Sequence, residues 1–190
     1  MRSVVGGFTL IEVLVAVCVL AVGIVGAAGI QLTALRTRQQ SALLSDAVQL
    51  AGGLADRMRA NAEQMRAPDA ANPYLQASYD ATADGAPSPS GPLCHANANC
   101  GSAELAQFDI YETRLALHAG FPGGRVVVCR DAQMWDAGRG VLAWACRGAA
   151  GAPVVVKVGW RARRHPGAPA QDDAIESAPG VAIVVPAEAE

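Results

Sequence analysis

Gly6-Gly7-Phe8-Thr9-Leu10-Ile11-Glu12-Val13-Leu14-Val15-Ala16 opens the stretch that decides how this chain is built, and no charged residue follows from Val13 to Leu35. A helix rises ~1.5 Å per residue, so ~20 residues cross a ~30 Å hydrocarbon layer. The run reads as a bilayer-spanning helix and argues against a purely cytosolic globular protein. A secretory signal places its cleavage site after the apolar stretch. Here the small residues Gly6-Gly7 come before it, behind a short segment with one cation, Arg2. Cleavage at that point leaves the membrane segment on the mature chain, which then begins at Phe8. Glu12 becomes the fifth mature residue, and a carboxylate in hydrocarbon needs a partner. The nearest candidate cation is the new Phe8 amine, of the same chain or of a neighbour.

Working outward, the helix is expected to continue past the membrane. Leu43, Ala47, Leu50, Leu54, Met58 and Ala62 recur at spacings of three and four, with Arg38, Asp46, Asp56 and Arg59 between them. That is one apolar stripe at helical period. The reading is a single helix from Phe8 to about Met65, ended by Pro68, with Gly52-Gly53 as a point of bending. Gly23, Gly26 and Gly29 are close-packing positions, points that weaken the helix so that it can extend locally, or simply the small residues common in membrane helices. Residues 67–92, punctuated by Pro68, Pro73, Pro87, Pro89 and Pro92, read as a loop pinned by Tyr74 and Tyr79. Ser102 is the expected cap of a second helix with Glu104 in its first turn. That helix carries a stripe of Leu105, Phe108, Leu115 and Tyr111 and stops at Gly120. Strands are expected at 126–129, 141–146, 154–160 and 181–185. A long helix against an antiparallel sheet is an α+β architecture.

The chain has five cysteines. Cys18 lies in the apolar run and reads as a buried, inert thiol. Cys94, Cys100, Cys129 and Cys146 lie beyond it, and an even set in a domain outside a membrane points to two disulfides in an oxidising compartment. Cys94 and Cys100 are close enough in sequence to pair directly. A turn near Asp136-Ala137-Gly138-Arg139 sets Cys129 opposite Cys146 in a 126–146 hairpin. Sequence alone still permits three connectivities.

The net charge of −2, from 15 Lys+Arg against 17 Asp+Glu, argues against nucleic-acid binding by bulk charge. The basic cluster Arg161-Ala162-Arg163-Arg164-His165 reads as a solvated strand end, partly offset by Asp172-Asp173. His95, His118 and His165 form no zinc-type spacing, and Cys94-His95 with Cys100 reads as disulfide rather than metal chemistry. The chain contains no G-x-S-x-G, Walker loop or dinucleotide fingerprint. No enzyme, cofactor or metal is expected.

GFTLIEVLVA resembles the type IV prepilin (class III) signal. That resemblance implies a leader, 1–7, cut by a prepilin peptidase between Gly7 and Phe8, with methylation of the Phe8 amine. It implies that 8–35 spans the inner membrane and later lines a filament core, that 36–66 is the amphipathic half of the same helix, and that 67–190 is a periplasmic α+β domain of pilin-like fold. It gives Glu12 the task of setting axial register against a neighbour's Phe8 amine. A weaker likeness, over Asp56-Arg57-Met58-Arg59-Ala60-Asn61, Glu104-Leu105-Ala106-Gln107-Phe108-Asp109 and Phe121-Pro122-Gly123-Gly124, is to the PilV family of minor pilins (type IV pilus modification proteins). The implied partners are the bilayer, the prepilin peptidase, other minor pilins, the major pilin and the inner-membrane assembly machinery. A minor pseudopilin of type II secretion carries the same N-terminal motif and is the competing assignment. A pilus-associated DNA-uptake or adhesion subunit is a third.

Overall fold

A computed structural model of the chain describes residues 7, 9–95, 98–148, 151–161 and 178–186. Helix α1 runs Leu10–Ala60, α2 Ala62–Met65 and α3 Ser102–Gly120. Strands β1 (Ser78–Asp80), β2 (Arg125–Arg130), β5 (Val154–Gly159) and β6 (Val181–Val185) form one antiparallel sheet in the order β1-β2-β5-β6. A second, two-stranded sheet pairs β3 (Trp135–Asp136) with β4 (Val141–Leu142). The chain divides into two compact units, residues 1–42 and 43–190.

The first unit contains the N-terminal part of α1. Its apolar side chains, Leu10 to Leu35, are exposed all round the helix. Cys18 is accordingly a free, exposed thiol and is not buried by its own chain.

The second unit has its own core. From α1 it takes Ala47, Ala51, Leu54, Ala55 and Met58, with Leu43 and Leu50 packed at the margin. Burying a side chain the size of Met58 contributes ~1.5–3 kcal/mol. The helix passes through Gly52-Gly53 and breaks at Asn61, short of the expected Met65. Asn61 has left helical backbone geometry and its amide donates to Ser102 O at 2.7 Å, so a tertiary hydrogen bond fixes the break.

The 67–92 segment, a long loop by its prolines, is partly ordered by packing. Two 3-10 turns, Asp69–Ala71 and Pro73–Gln76, lead into the edge strand β1. Its proline content hides a strand of only three residues, which pairs with Val127, Val126 and Arg125. Tyr74 and Tyr79 are both buried.

Helix α3 begins one residue after its cap, Gly101, whose N–H donates to Glu104 Oε2 at 2.9 Å. The expected stripe is rotated. Of its members Phe108 is buried and Tyr111 half-buried, Leu105 and Leu115 are exposed, and the rest of the buried face is Ala106, Asp109, Ile110, Thr113 and Leu117.

Strand β5 is buried on both faces. Val154, Val156 and Val158 join the core under the helices, while Val155 and Lys157 alternate onto the other face. Residues 131–148 cover that face. At Gly159 a Cβ would lie 2.8 Å from the Trp144 ring, so a glycine admits that indole. The turn Phe121-Pro122-Gly123-Gly124 closes with Gly124 N–H donating to Phe121 O at 3.1 Å, and Gly123 sits at φ +56°, where glycine carries no steric penalty.

Only Val141 and Leu142 of the expected 141–146 strand are in a ladder, and they pair with β3. β2 pairs with β1 and β5, so the expected 126–146 hairpin does not exist. The physical reason is a lysine: the carbonyls of Ala143 and Ala145 accept hydrogen bonds from Lys157 Nζ, at 2.7 and 2.9 Å, instead of entering a strand ladder.

Candidate functional site

At the N-terminus, Thr9 and Glu12 satisfy each other. Thr9 N–H and its hydroxyl donate to Glu12 Oε2 at 2.9 and 3.0 Å, and Glu12 N–H approaches Thr9 Oγ1 at 3.4 Å. Glu12 N–H and Val13 N–H also donate to Thr9 O, at 3.1 and 3.3 Å. This is a capping box, T-x-x-E, in which cap and third helical residue exchange hydrogen bonds. The four-residue pattern Thr9-Leu10-Ile11-Glu12 is its signal in the sequence. Gly7 is exposed, with open space where a Cβ would point. Phe8 lies outside the described residues, as do Arg2 and Gly6.

One face of the same helix bears small residues beside larger ones: Val25, Gly26, Gly29, Ile30, Thr33 and Thr37 line a shallow groove. The hydroxyls of Thr33 and Thr37 donate to Gly29 O and Thr33 O, so both are spent within the helix.

In the second unit, two of the quoted motif stretches meet. Arg57 Nη1 lies 3.3 Å from Asp109 Oδ1 and 2.5 Å from Glu112 Oε2. Tyr74 donates to Asp109 Oδ2 at 2.5 Å, and Asn61 Nδ2 reaches the Tyr74 hydroxyl at 3.4 Å. Burial first, and then the bond to Asp109, push the Tyr74 phenol well above its ordinary value. These residues tie the end of α1 to α3 and to the turn at Tyr74. Their arrangement is that of a polar seam in the core.

The cysteines form two bonds, Cys94 to Cys100 and Cys129 to Cys146. The second joins β2 to the segment after β4. Beside it lies a buried ion pair, Lys157 Nζ to Asp131 Oδ2 at 2.5 Å, with both side chains inaccessible to solvent. No local pattern in the sequence marks this pair, whose members stand 26 residues apart. Asp131 Oδ1 accepts from Gln133 N–H and Arg147 N–H at 2.9 and 3.1 Å. Burial raises the Asp131 pKa, and the bonds from Lys157, Gln133 and Arg147 outweigh it, holding the carboxyl below its ordinary value.

Of the basic cluster, Arg161 is described: its N–H donates to Pro122 O at 2.9 Å, and its side chain packs by Gly123. Arg163, Arg164, His165, Asp172 and Asp173 lie outside the described residues. His95 stacks edge-on against Phe108 at 4.9 Å, and His118 Nδ1 lies 2.6 Å from the Tyr79 hydroxyl, which donates to Gly85 O. Among the described residues no group of three or more His, Cys, Asp or Glu is placed to hold a metal ion.

Two family models match the chain. Residues 2–28 match the prokaryotic N-terminal methylation motif, and residues 29–111 match the Tt1218-like family, described as type IV pilin Tt1218. No curated protein and no solved structure matches it.

Proposed function

We propose that this chain, which carries a type IV pilin region directly behind a prepilin methylation motif, is a minor pilin that acts in initiating and assembling a pilus. The single observation that carries the reading is the continuity of those two matches, 2–28 and 29–111, along a helix whose first stretch buries nothing within its own unit. A helix that is apolar all round needs lipid or other helices around it. The prepilin peptidase cuts between Gly7 and Phe8 and methylates the new amine. Residues 8–35 then hold the subunit in the inner membrane with residues 67–190 in the periplasm, and later pack in the filament. The partners are other minor pilins, the major pilin and the inner-membrane assembly machinery.

The capping box refines the part given to Glu12. Before assembly, Thr9 partners the carboxylate and reduces its cost in hydrocarbon. A neighbour's Phe8 amine then competes for a carboxylate already oriented by its own first turn.

The test is a clean in-frame deletion in the native host, with sheared surface pili counted by electron microscopy. Loss of pili, restored by the intact gene and not by a Glu12→Ala gene whose product is still cleaved, supports the reading. Normal pili together with lost exoprotein secretion would transfer the chain to a type II secretion system.

A further inference from the structure

Cys129 and Cys146 stand among contacts that owe nothing to the bond between them. Lys157 is fully buried on β5, the strand next to β2. Its Nζ donates to Ala143 O at 2.7 Å, to Ala145 O at 2.9 Å and to Asp131 Oδ2 at 2.5 Å. An ammonium has three donors, and all three are used. Asp131 Oδ1 accepts from Arg147 N–H at 3.1 Å, and Ala132 N–H donates to Arg147 O at 3.1 Å. Both neighbours of Cys146 are therefore held, Ala145 by Lys157 and Arg147 by Asp131 and Ala132. Asp131 in turn stands two residues after Cys129. The backbone at Gly148 passes against the Arg130 carbonyl with no room for a Cβ, and the Trp144 ring lies against Gly159.

The other cysteine pair is placed differently. Cys94 and Cys100 are six residues apart, and the backbone bonds of their loop are local, His95 N–H to Leu93 O and Ala98 N–H to His95 O. A loop that short brings its ends together cheaply. Cys129 and Cys146 are 17 residues apart, one on β2 and one beyond β4. Their meeting costs more chain entropy, and the contacts around Lys157 offset that cost.

We propose that Lys157 is a positioning residue for the Cys129–Cys146 bond: it seats residues 143–147 beside β2 while both cysteines are still thiols, and oxidation then locks a segment already in place. In the chemical step one cysteine thiolate attacks a small-molecule disulfide such as oxidised glutathione and displaces one thiolate. The other cysteine thiolate then attacks the protein sulfur of that mixed disulfide and displaces the second. The two protein thiols give up two protons and two electrons, and the disulfide is reduced to two thiols. Lys157 takes no part in that exchange. It raises the effective concentration of one thiol at the other. This holds wherever a disulfide oxidant reaches the domain, so it does not depend on the pilus reading.

Two measurements on the full chain in micelles test it. The first is hydrogen exchange in Cys129→Ser/Cys146→Ser. The N–H groups of Ala132, Ala143 and Arg147 should stay protected without the bond, as should Val156 in the middle of the sheet. Adding Lys157→Met with Asp131→Asn should raise exchange at the first three about tenfold or more, the worth of one charge-assisted hydrogen bond. Asparagine at 131 keeps an acceptor for Gln133 and Arg147, so the bonds removed are the lysine's. The second measurement equilibrates the four-cysteine domain in reduced and oxidised glutathione and maps alkylated thiols by mass. In Lys157→Met/Asp131→Asn the ratio [GSH]²/[GSSG] that half-reduces Cys129–Cys146 should fall about tenfold or more, while that for Cys94–Cys100 stays put. Leu54→Ala is the control. It removes packing from the core on the opposite face of β5, lowers the Tm and should leave both ratios unchanged.

The proposal is overturned if the serine variant loses protection at Ala132, Ala143 and Arg147, with or without Val156, because the bond would then be what seats the segment. That result decides the order of events whether or not the lysine variant folds. It is also overturned if the lysine variant leaves exchange and the glutathione ratio as they were. A Leu54→Ala shift as large as the lysine variant's overturns it too, since general stability would then hold the thiols together.

Discussion

Helix α1 contains two stretches of the same secondary structure under opposite rules. From Leu10 to Leu35 its large apolar side chains face outward on every side. From Ala47 to Met58 its small and medium side chains pack into a core while Asp56 and Arg59 face water. The backbone does not distinguish them; the distribution of polar residues around the helix does. A stripe is finished by the chain's own sheet, whereas an all-round apolar surface is finished by something the chain does not supply. The difference gives the second stretch to folding and leaves the first for surroundings outside the chain, which the proposed function identifies as membrane and filament.

The sharpest way to break this comparison is to place the same charge in both stretches. Ala51 is fully buried, so Ala51→Asp leaves an unpaired carboxylate in the core. The expected loss is about 4 kcal/mol or more, a fall in Tm of about 8–16 °C for a unit of this size. Leu20→Asp should leave that Tm unchanged. Its cost, about 2.5–3.5 kcal/mol, falls on membrane insertion. Thermal melts of detergent-solubilised full chain, set beside membrane fractionation, read the two costs separately. A Leu20→Asp protein that melts like Ala51→Asp would show the stretches to be one folding unit.

The comparison also explains what was legible in the sequence. Long periodic features were readable because many residues repeat one message: the apolar run, the α1 stripe, and the strands at 125–130, 154–159 and 181–185. The α+β fold followed from them. What escaped was decided by single contacts between distant residues. β1 is three residues inside a proline-rich stretch, visible only through its pairing with β2. The α3 face turned because Asp109 has partners, Tyr74 and Arg57, that make its burial tolerable. A reading that counts Asp as an outward residue must place the stripe wrongly. The 143–146 stretch looked like a strand by composition and lost its ladder to Lys157. At the N-terminus the T-x-x-E pattern is local and legible, but it lies inside an apolar run where Glu12 reads first as a charge in need of a cation.

The second unit has its own polar centre, the Lys157–Asp131 pair, and it provides the next test. Removing one partner of a buried pair costs about 3–5 kcal/mol because the other charge is left uncompensated. Asp131→Asn should therefore destabilise the domain by that amount at pH 7. Replacing both, Lys157→Met with Asp131→Leu, should recover only the part due to the uncompensated charge, since the carbonyls of Ala143 and Ala145 and the N–H groups of Gln133 and Arg147 lose their partners. The pH dependence has a definite sign. The folded pKa of Asp131 is depressed below its unfolded value of ~3.9. Its stabilisation is thus complete above about pH 4 and is lost as pH falls through the folded value. Acid melts of the wild type should show this loss, and the double replacement should flatten that part of the curve. An unchanged acid limb in the double variant would reassign it to other carboxyls.

The smallest expected effect sharpens the comparison at its far end. Thr9→Val keeps the size and β-branching of the side chain and removes the hydroxyl that donates to Glu12. The loss of a cap costs ~1 kcal/mol, or about a fivefold rise in opening of the first turn. Hydrogen exchange at Ile11 to Val13 of the full chain in micelles should rise by about that factor. The Tm of the domain should not move, because nothing in the second unit's core depends on Thr9. A fall in Tm would couple the two stretches that burial separates. An unchanged exchange rate would mean that the Thr9 N–H, which also donates to Glu12 Oε2 at 2.9 Å, orients the carboxylate without help from the hydroxyl. The first turn would then arrive at assembly with Glu12 positioned by backbone alone, and a side-chain change at Thr9 would leave its exchange of partner untouched.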